Sequence, residues 1–239
     1  MEEKLSGIVL GGIYFGENDK ILKIFTLEKG VVSAKIKGVK KAGAKLKFAA
    51  EPFCFVEFIF SVRNDMRTVI GASLIDSFYP VREDIVKYFC AGTVLEFVKK
   101  FYKENITSAD AFLNTVNTLK DIAYGDGSPK NRLIKFLLDE LEDSGFALSF
   151  NGCSGCGCEI EEGRVFFDYR SGAFFCLECF DGVGREVNFR TLKALKNADQ
   201  GIESPSEDQA KALRLLSYYI ENRADEKFNS LEELIKILG

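Results

Sequence analysis

The chain contains the stretch Cys153-Ser-Gly-Cys156-Gly157-Cys158, in which Cys153 and Cys156 form one C-x-x-C pair. A second pair, Cys176-Leu-Glu-Cys179, is separated from Cys156 by nineteen residues. This spacing lies within the range typical of sites at which four thiolates hold one zinc ion. Two residues between cysteines let one tight turn direct both sulfurs at the same ion, which zinc binds tetrahedrally. The spacing therefore predicts one structural Zn²⁺ ion, because a catalytic zinc keeps one position open for water.

Two features of this stretch qualify the ligand set. The sequence has no histidine, so mixed ligation by cysteine and histidine is excluded. Cys158 is an alternative to Cys156 as a ligand, but Gly155 and Gly157 on either side of Cys156 favour Cys156, because glycine permits the unusual backbone angles of a metal-binding turn. The predicted ligands are Cys153, Cys156, Cys176 and Cys179. A redox dithiol pair and unrelated buried thiols are the alternative interpretations.

Length and composition narrow the class of protein. At 239 residues the chain exceeds the usual size of one domain, which predicts two or three modules. No apolar run reaches membrane length, and the first residues lack the pattern of a signal peptide. Seven cysteines, four of them in zinc spacing, favour a reducing compartment over a disulfide framework. We therefore expect a soluble cytoplasmic protein with no membrane partner.

Charge is unevenly distributed along the chain. Residues 1–80 carry a net charge of +3, whereas residues 81–239 carry −7. A run without any acidic residue contributes most of the excess, with lysines at Lys35, Lys37, Lys40, Lys41, Lys45 and Lys47. Such a run predicts an anionic partner for the first module. The alternative is a solvated edge that discourages aggregation.

The first module has the pattern of a β-structure. Val32, Ala34 and Ile36 alternate with polar residues, a period of two that is typical of a half-buried strand. Gly7, Gly11 and Gly12 indicate that the first strand is long and strongly bent. The predicted strands are Leu5–Phe15, Ile21–Leu27, Val31–Val39, Phe53–Ser61, which Pro52 opens, and Arg67–Ile75. Five strands in about 75 residues, with a long connection before the fourth, are typical of an OB-type β-barrel, although a small sandwich has a similar count.

The rest of the chain has helical periodicity, interrupted by the cysteines. Ser108 and Ser128-Pro129 are expected to start two helices, and Gly145 to follow the end of the second. After the cysteines, Ser204 with Glu207 and Ser230 with Glu233 predict capping boxes. The fold class is thus α+β and multidomain. We predict an OB-type domain at residues 1–80, a helical bundle at residues 81–148 and 185–239, and a zinc module inserted at residues 149–184.

The sequence lacks the usual catalytic apparatus. It contains no phosphate-binding loop of the G-x-x-x-x-G-K-[ST] type and no G-x-G-x-x-G motif. Without histidine it also lacks the commonest general base. Its acidic clusters, such as Asp139-Glu140, are in positions where exposed helix faces would place them. We therefore expect a binding protein and not an enzyme.

The order of these modules resembles that of the bacterial DNA repair protein RecO family. The resemblance rests on Gly7–Leu10 with Tyr14, Glu17 and Asp19, and on the stretch Ile21-Leu-Lys-Ile-Phe25-Thr26 followed by Gly30. It continues through Ala34-Lys-Ile-Lys-Gly38-Val-Lys-Lys41, Pro52-Phe53 and the two cysteine pairs, and so extends over nearly the whole chain. One departure is Phe180, where a glycine would match the one after Cys156. The acidic segment after Ala224 is a second.

This resemblance implies a recombination mediator without enzymatic turnover. Proteins of this family bind single- and double-stranded DNA, anneal complementary strands and act with RecR and the single-stranded DNA-binding protein SSB to load RecA. The resemblance implies a bacterial protein that associates with the nucleoid in the cytoplasm. It assigns DNA binding to the barrel, in agreement with the lysine run, and adds Arg63 and Arg67 in the last barrel loop. Tyr14, Phe25 and Phe48 are candidates for base stacking, although aromatic residues of a barrel are more often core.

Two other classes of function compete with this interpretation. The first is a zinc-stabilised adaptor whose barrel binds RNA or protein without annealing activity. The second is a thiol–disulfide catalyst that uses Cys153, Cys156 and Cys158.

Overall fold

The computed structural model describes residues 1–239 and divides into two compact units, Met1–Gly125 and Asp126–Gly239. The first unit contains five strands: β1 (Glu2–Phe15), β2 (Asp19–Thr26), β3 (Gly30–Ile36), β4 (Phe55–Arg63) and β5 (Met66–Asp76). They form a closed barrel in the order β1-β2-β3-β5-β4, in which only the β3–β5 pair is parallel. The predicted OB-type barrel is confirmed.

Strand β1 is long enough to pair with both β2 and β4 because it bends in its middle. The register with β2 shifts between Val9 and Gly11, and Gly11 has a φ of 132° that a residue with a side chain rarely adopts. A bulge of this kind increases the local bend and twist of a strand, which helps a small barrel to close. The glycines that predicted a bent strand are therefore explained.

The start of β4 differs from the prediction. The sequence placed it at Phe53 after Pro52, but the strand begins at Phe55. Phe53 has a φ of 73°, and its N–H donates to the carbonyl of Val9 at 3.0 Å, opposite the β1 bulge. Phe53 therefore lies in a turn that is hydrogen-bonded to the bulge of β1. No local pattern in the sequence indicates this contact.

Two helices complete the first unit, α1 (Ile85–Phe101) and α2 (Ala109–Tyr124). Ser108 caps α2 as predicted, because its hydroxyl accepts from the N–H of Ala111. Phe25 of the barrel packs against Phe112 of α2 with ring centroids 5.5 Å apart. The outside of the barrel is thus covered in part by apolar helix surface.

The second unit consists of four helices and a small sheet. The helices are α3 (Pro129–Asp143), α4 (Phe189–Asp199), α5 (Ser206–Arg223) and α6 (Asn229–Ile237). Between α3 and α4 lies a three-stranded antiparallel sheet in the order β7-β6-β8, built from β6 (Val165–Asp168), β7 (Ala173–Cys176) and β8 (Arg185–Val187). The cysteine pairs lie in this insertion, as the sequence predicted.

Both predicted capping boxes of the second unit are wrong. Helix α5 begins after Pro205 without a side-chain cap, because the hydroxyl of Ser204 accepts instead from the amide of Asn197 at 3.0 Å. Helix α6 begins at Asn229, one residue before Ser230, with Phe228 in the N-cap position. In each case the motif is present, but the backbone enters the helix at a different residue.

None of the six helices is both long and apolar enough to cross a membrane. Helices α1 and α2 belong to the compact unit of the barrel, whereas α3 to α6 belong to the unit of the cysteines. Compactness does not show which segments fold independently, so the division into residues 1–80, 81–148 with 185–239, and 149–184 stays a prediction.

Candidate nucleic-acid interface and cysteine centre

The lysine loop, residues 37–47, connects β3 to the 3-10 helix Lys47–Ala50. It is anchored to the β1–β2 hairpin, because the N–H of Gly38 donates to Oδ1 of Asp19 at 2.9 Å and the N–H of Lys40 donates to the carbonyl of Asn18 at 3.2 Å. Consecutive backbone turns follow, from Lys41 to Gly38 and from Ala44 to Lys41. The loop is therefore a fixed series of turns that presents its lysine side chains outward, while Val39 lies in the barrel core.

Five of the six predicted lysines are exposed and have no ion pair. They are Lys37, Lys40, Lys41, Lys45 and Lys47. Lys35 differs, because it is half-buried and its Nζ lies 2.9 Å from Oδ2 of Asp19. The Lys35 ammonium and the N–H of Gly38 hold the pKa of the Asp19 carboxyl below its usual value, so Asp19 stays ionised at neutral pH and neutralises Lys35. The free positive charge of this surface is thus carried by the lysine loop.

The tip of β1 exposes aromatic side chains beside these lysines. Tyr14 is 64% exposed, and the Nζ atoms of Lys40 and Lys20 lie 3.9 Å and 5.7 Å from its ring centroid. Phe15 is 50% exposed, with the Nζ of Lys35 at 4.6 Å. All three distances are within the range of cation–π contacts.

The three aromatic candidates for stacking have different environments. Tyr14 is exposed, whereas Phe25 is fully buried and Phe48 is half-buried against the barrel core. The buried position of Phe25 excludes it from contact with a ligand. Phe15 and Lys20 were not among the predicted site residues, because the pairing of Tyr14 with Lys20 depends on the register of β1 with β2.

The two predicted arginines flank the β4–β5 turn, outside the lysine loop. Strand β5 runs parallel to β3 and begins beside it, with Arg67 opposite Ala34, so the β4–β5 turn points toward the start of β3. The lysine loop leaves from the end of β3. Arg63 is exposed in this turn, whereas Arg67 is engaged by Glu3, with Nε and Oε2 2.8 Å apart. DNA contact by these arginines stays a prediction.

The cysteine centre brings four thiols together. The Sγ atoms of Cys153, Cys156, Cys176 and Cys179 all lie within 4.8 Å of one another, and those of Cys156 and Cys176 are 3.9 Å apart. Sulfurs at the corners of a tetrahedron around zinc, with bonds of about 2.3 Å, are separated by about 3.8 Å. The spacing of the four thiols thus fits a tetrahedral thiolate site.

Two glycines permit this approach. A Cβ atom at Gly155 would lie 2.7 Å from Cβ of Cys179, so any side chain there would push the two turns apart. Gly157 has a φ of 75°, a conformation that glycine adopts without strain. Both glycines therefore serve the turn that carries Cys156, which is the role that the local sequence predicted for them.

Backbone hydrogen bonds favour the thiolate form of the first cysteine. Burial of Cys153 opposes its ionisation, but N–H groups of Cys176, Cys156 and Gly155 donate to its Sγ and lower its pKa to about 6. The distance from the Cys176 nitrogen to this sulfur is 3.3 Å. Hydrogen bonds of this type favour the thiolate, which is the form that binds metals.

Cys158 lies outside the group of four thiols. It is exposed, and its carbonyl accepts from the N–H of Cys153 at 2.8 Å, which closes the turn. Its thiol is within hydrogen-bonding reach of Cys156 and Cys176. The geometry therefore favours Cys156 over Cys158 as the fourth member of the site.

With this architecture established, comparison with known proteins identifies the family. The chain matches the family models "Recombination protein O N terminal" over residues 1–78 and "Recombination protein O C terminal" over residues 82–232. The chain belongs to the RecO family.

Relatives with the name DNA repair protein RecO align over most of both chains. The protein from Acetivibrio thermocellus is 28% identical over 213 residues, which cover 89% of this chain and 78% of that protein. The protein from Anaeromyxobacter sp. strain K is 29% identical over 202 residues, which cover 83% and 79%. The protein from Desulforamulus reducens is 29% identical over 195 residues, which cover 81% and 75%.

Proposed function

We propose that this chain is a DNA-binding recombination mediator in DNA repair, and that its lysine loop holds the sugar-phosphate backbone. The observation that carries this proposal is the set of five exposed lysines without ion pairs on one ordered loop. Membership in the RecO family supports it, because similar proteins have the name DNA repair protein RecO. The chain as a whole is acidic, with a net charge of −4, so affinity must come from this local patch.

The chemistry of the loop predicts binding with little sequence preference. Lysines neutralise phosphates and release counterions, but they carry no pattern that distinguishes bases. We therefore infer that both single- and double-stranded DNA bind. Annealing of complementary strands follows if two strands share the patch and their mutual repulsion is reduced.

Partners and location are proposed from the family. We propose that the chain acts with RecR and with the single-stranded DNA-binding protein SSB to assist RecA loading, in the cytoplasm of a bacterium and in association with the nucleoid. No catalytic step is part of this proposal. The absence of histidine and the lack of a convergent acidic site around the lysine loop support a binding role.

For the cysteine centre we propose one structural Zn²⁺ ion held by Cys153, Cys156, Cys176 and Cys179. When bound, zinc would cross-link the two turns and supply no open position for catalysis. Glycines 155 and 157 and the hydrogen bonds to Cys153 support this assignment. The insertion between α3 and α4 has only a three-stranded sheet, so a metal cross-link would supply stability that its small core lacks.

Titration of labelled single-stranded DNA at several salt concentrations tests the DNA-binding proposal. Each phosphate neutralised on a single strand contributes about −0.7 to the slope of log affinity against log salt, so five lysines give a slope of about −3.5. A fourfold rise in salt would then lower affinity about a hundredfold. Binding that is absent or insensitive to salt would refute the proposal and favour an adaptor that recognises protein.

A strand-annealing assay with and without the cognate SSB tests the finer part of the proposal. We expect the chain to accelerate annealing of complementary strands, and to do so on strands covered by SSB. Salt-sensitive DNA binding without acceleration would support DNA binding but refute the annealing role.

A further inference from the structure

The β1–β2 hairpin ends in three consecutive exposed apolar residues. Ile13, Tyr14 and Phe15 are 68%, 64% and 50% exposed, although they belong to a paired strand. Successive residues of a strand point to opposite faces, so Tyr14 lies on one face of the hairpin and Ile13 and Phe15 lie on the other. The two faces differ in the charges that surround them.

On the face of Tyr14 the positive charge is free. Lys40, whose Nζ lies 3.9 Å from the ring centroid, belongs to the lysine loop and has no ion pair. Lys20, the partner of Tyr14 across the strands, donates to the carbonyl of Ala50 at 2.8 Å, and its Nζ lies 5.7 Å from the ring centroid. A phosphate bound by the loop would place its neighbouring base within reach of this ring.

On the face of Phe15 the lysine beside the ring is already paired. The Nζ of Lys35, 4.6 Å from the Phe15 ring centroid, is also 2.9 Å from Oδ2 of Asp19. This face therefore offers an exposed aromatic ring whose contacting lysine is not free to bind a phosphate. The two rings form a natural pair for comparison, since they are adjacent in sequence and similar in exposure.

We propose that Tyr14 is a base-stacking residue that makes the interface favour unpaired over paired nucleic acid. This inference rests on the DNA-binding function proposed above and specifies which form of DNA the site prefers. An aromatic ring stacks on the face of any base, so it adds affinity without sequence preference. In a duplex the faces of the bases are covered by their neighbours, whereas the phosphates remain accessible. Tyr14 therefore acts on single strands, and the lysine loop acts on both forms.

The absence of tryptophan from the chain provides a direct test. Tyr14→Trp and Phe15→Trp each create a protein with one tryptophan, on opposite faces of the same hairpin. We expect single-stranded oligothymidylate to quench the fluorescence of Tyr14→Trp strongly and that of Phe15→Trp weakly. A duplex of the same length is expected to quench neither strongly. Intact binding without quenching at position 14, or equal quenching at both positions, would overturn the proposal.

Affinity measurements separate stacking from simple apolar contact. Loss of one base stack corresponds to about a tenfold loss of affinity. We expect this loss for Tyr14→Leu with single strands but not with a duplex, and nearly full affinity for Tyr14→Phe. The salt dependence should stay unchanged in both variants, because Tyr14 contacts no phosphate. An equal loss on both forms of DNA, or none for Tyr14→Leu, would refute the role of the ring.

Failure of this inference is distinguishable from failure of the proposed function. If the unaltered protein shows no salt-sensitive DNA binding, the proposed function itself is wrong, and Tyr14 has no strand to stack on. If the unaltered protein binds DNA normally and Tyr14→Leu binds single strands equally well, only the role of Tyr14 is wrong.

Discussion

The lysine loop and the cysteine centre are both turn-rich segments, but the chain holds them in place by different means. Residues 37–47 contribute little to a core, and they are ordered because backbone hydrogen bonds tie them to the hairpin of a closed barrel. The turns of the cysteine centre bring four thiols within 4.8 Å of one another, beside a sheet of three short strands. One segment is held by a scaffold and exposes its charges, whereas the other directs its reactive groups toward one another.

In our proposal, therefore, the more conspicuous chemical pattern is not the one that contacts DNA. If four thiolates hold one zinc ion, no coordination position is left for a substrate. The five exposed lysines have no anionic partner within the chain, so they remain available for an external anion. Four changes test this contrast, in order of decreasing effect.

Removal of a zinc ligand should have the largest effect. We expect Cys176→Ser to abolish zinc binding, because structural zinc contributes about 10–16 kcal/mol to small metal-dependent folds at neutral pH. Metal content by atomic emission and limited proteolysis of residues 149–184 would measure the change. Salt-sensitive DNA binding should persist. A loss of DNA affinity as large as that caused by altering the lysine loop would break the contrast between the two regions.

Cys158→Ser is the matched control for this change. It removes an exposed thiol two residues from a predicted ligand, and we expect zinc content to stay at one ion per chain. If Cys158→Ser loses zinc while Cys156→Ser retains it, the assignment of the fourth ligand is wrong.

Charge reversal in the lysine loop should have the second largest effect. We expect Lys37→Glu, Lys40→Glu and Lys41→Glu together to lower DNA affinity by about tenfold or more at low salt, and to reduce the salt slope by about 2. Thermal stability should change little, because these side chains are exposed and have no ion pair in the fold. Fluorescence anisotropy with labelled DNA would measure both quantities.

The control for charge reversal changes the same number of lysines elsewhere in the same unit. Lys99, Lys103 and Lys120 are exposed and lie in or beside α1 and α2. Their replacement by Glu alters the net charge equally but should leave the salt slope unchanged. Equal weakening by both triple variants would show that net charge, and not the loop, governs binding.

A smaller effect is expected at Glu3, which accepts from Arg67 at 2.8 Å and pairs with Lys29. Burial alone would raise the pKa of Glu3, but hydrogen bonds from Lys29 and Arg67 lower it below its ordinary value. Because the pKa of Glu3 is lower in the folded chain, its carboxylate stabilises the fold at pH values above the ordinary pKa. This contribution is lost as the pH falls through the pKa of the folded state. Glu3→Gln should therefore cost about 1 kcal/mol at pH 7.

The pH dependence provides the check on this prediction. Urea denaturation at neutral pH and below pH 4 should show the difference between wild type and Glu3→Gln shrinking in acid. A difference that stays constant with pH would mean that packing, and not the charge of Glu3, is responsible.

The smallest effect is expected at the Arg164–Glu186 pair of the cysteine centre's sheet. Nη2 of Arg164 lies 2.6 Å from Oε2 of Glu186, but both side chains are more than half exposed. Exposed pairs contribute little because water and salt screen them. Arg164→Gln should leave the Tm and the zinc content within experimental error. A clear fall in either would show that this segment depends on more than its sulfurs.

Several elements were predictable because their signals are local. The barrel strands follow from alternation, and the glycines at 7, 11 and 12 indicated the bend of β1. The cysteine centre follows from spacing, since two residues fix the geometry of each turn. Ser108 was recognisable as a helix cap for the same reason, because its hydroxyl bonds a nitrogen three residues away.

Other predictions failed or stayed open because the deciding partner is distant in sequence. Arg67 looked available for DNA, but Glu3 lies opposite it across the barrel. The predicted capping box at Ser204 does not form, and the Ser204 hydroxyl accepts a hydrogen bond from the side-chain amide of Asn197 in the preceding helix. The backbone of Phe53 is hydrogen-bonded to Val9 at the bulge of β1, more than forty residues earlier in the chain. Single-sequence patterns do not contain these pairings.

The barrel, the cysteine cluster and the positive charge of residues 35–47 could be predicted from sequence, because alternation, spacing and charge are properties of neighbouring residues. The folded chain was needed to show which lysines lack an ion pair, which aromatic ring is exposed and which arginine is paired with a carboxylate. Burial and pairing depend on residues that strand register brings together from distant parts of the sequence. Tyr14 and Phe25 read alike in sequence, yet one borders free lysines in solvent and the other is buried between barrel and helix.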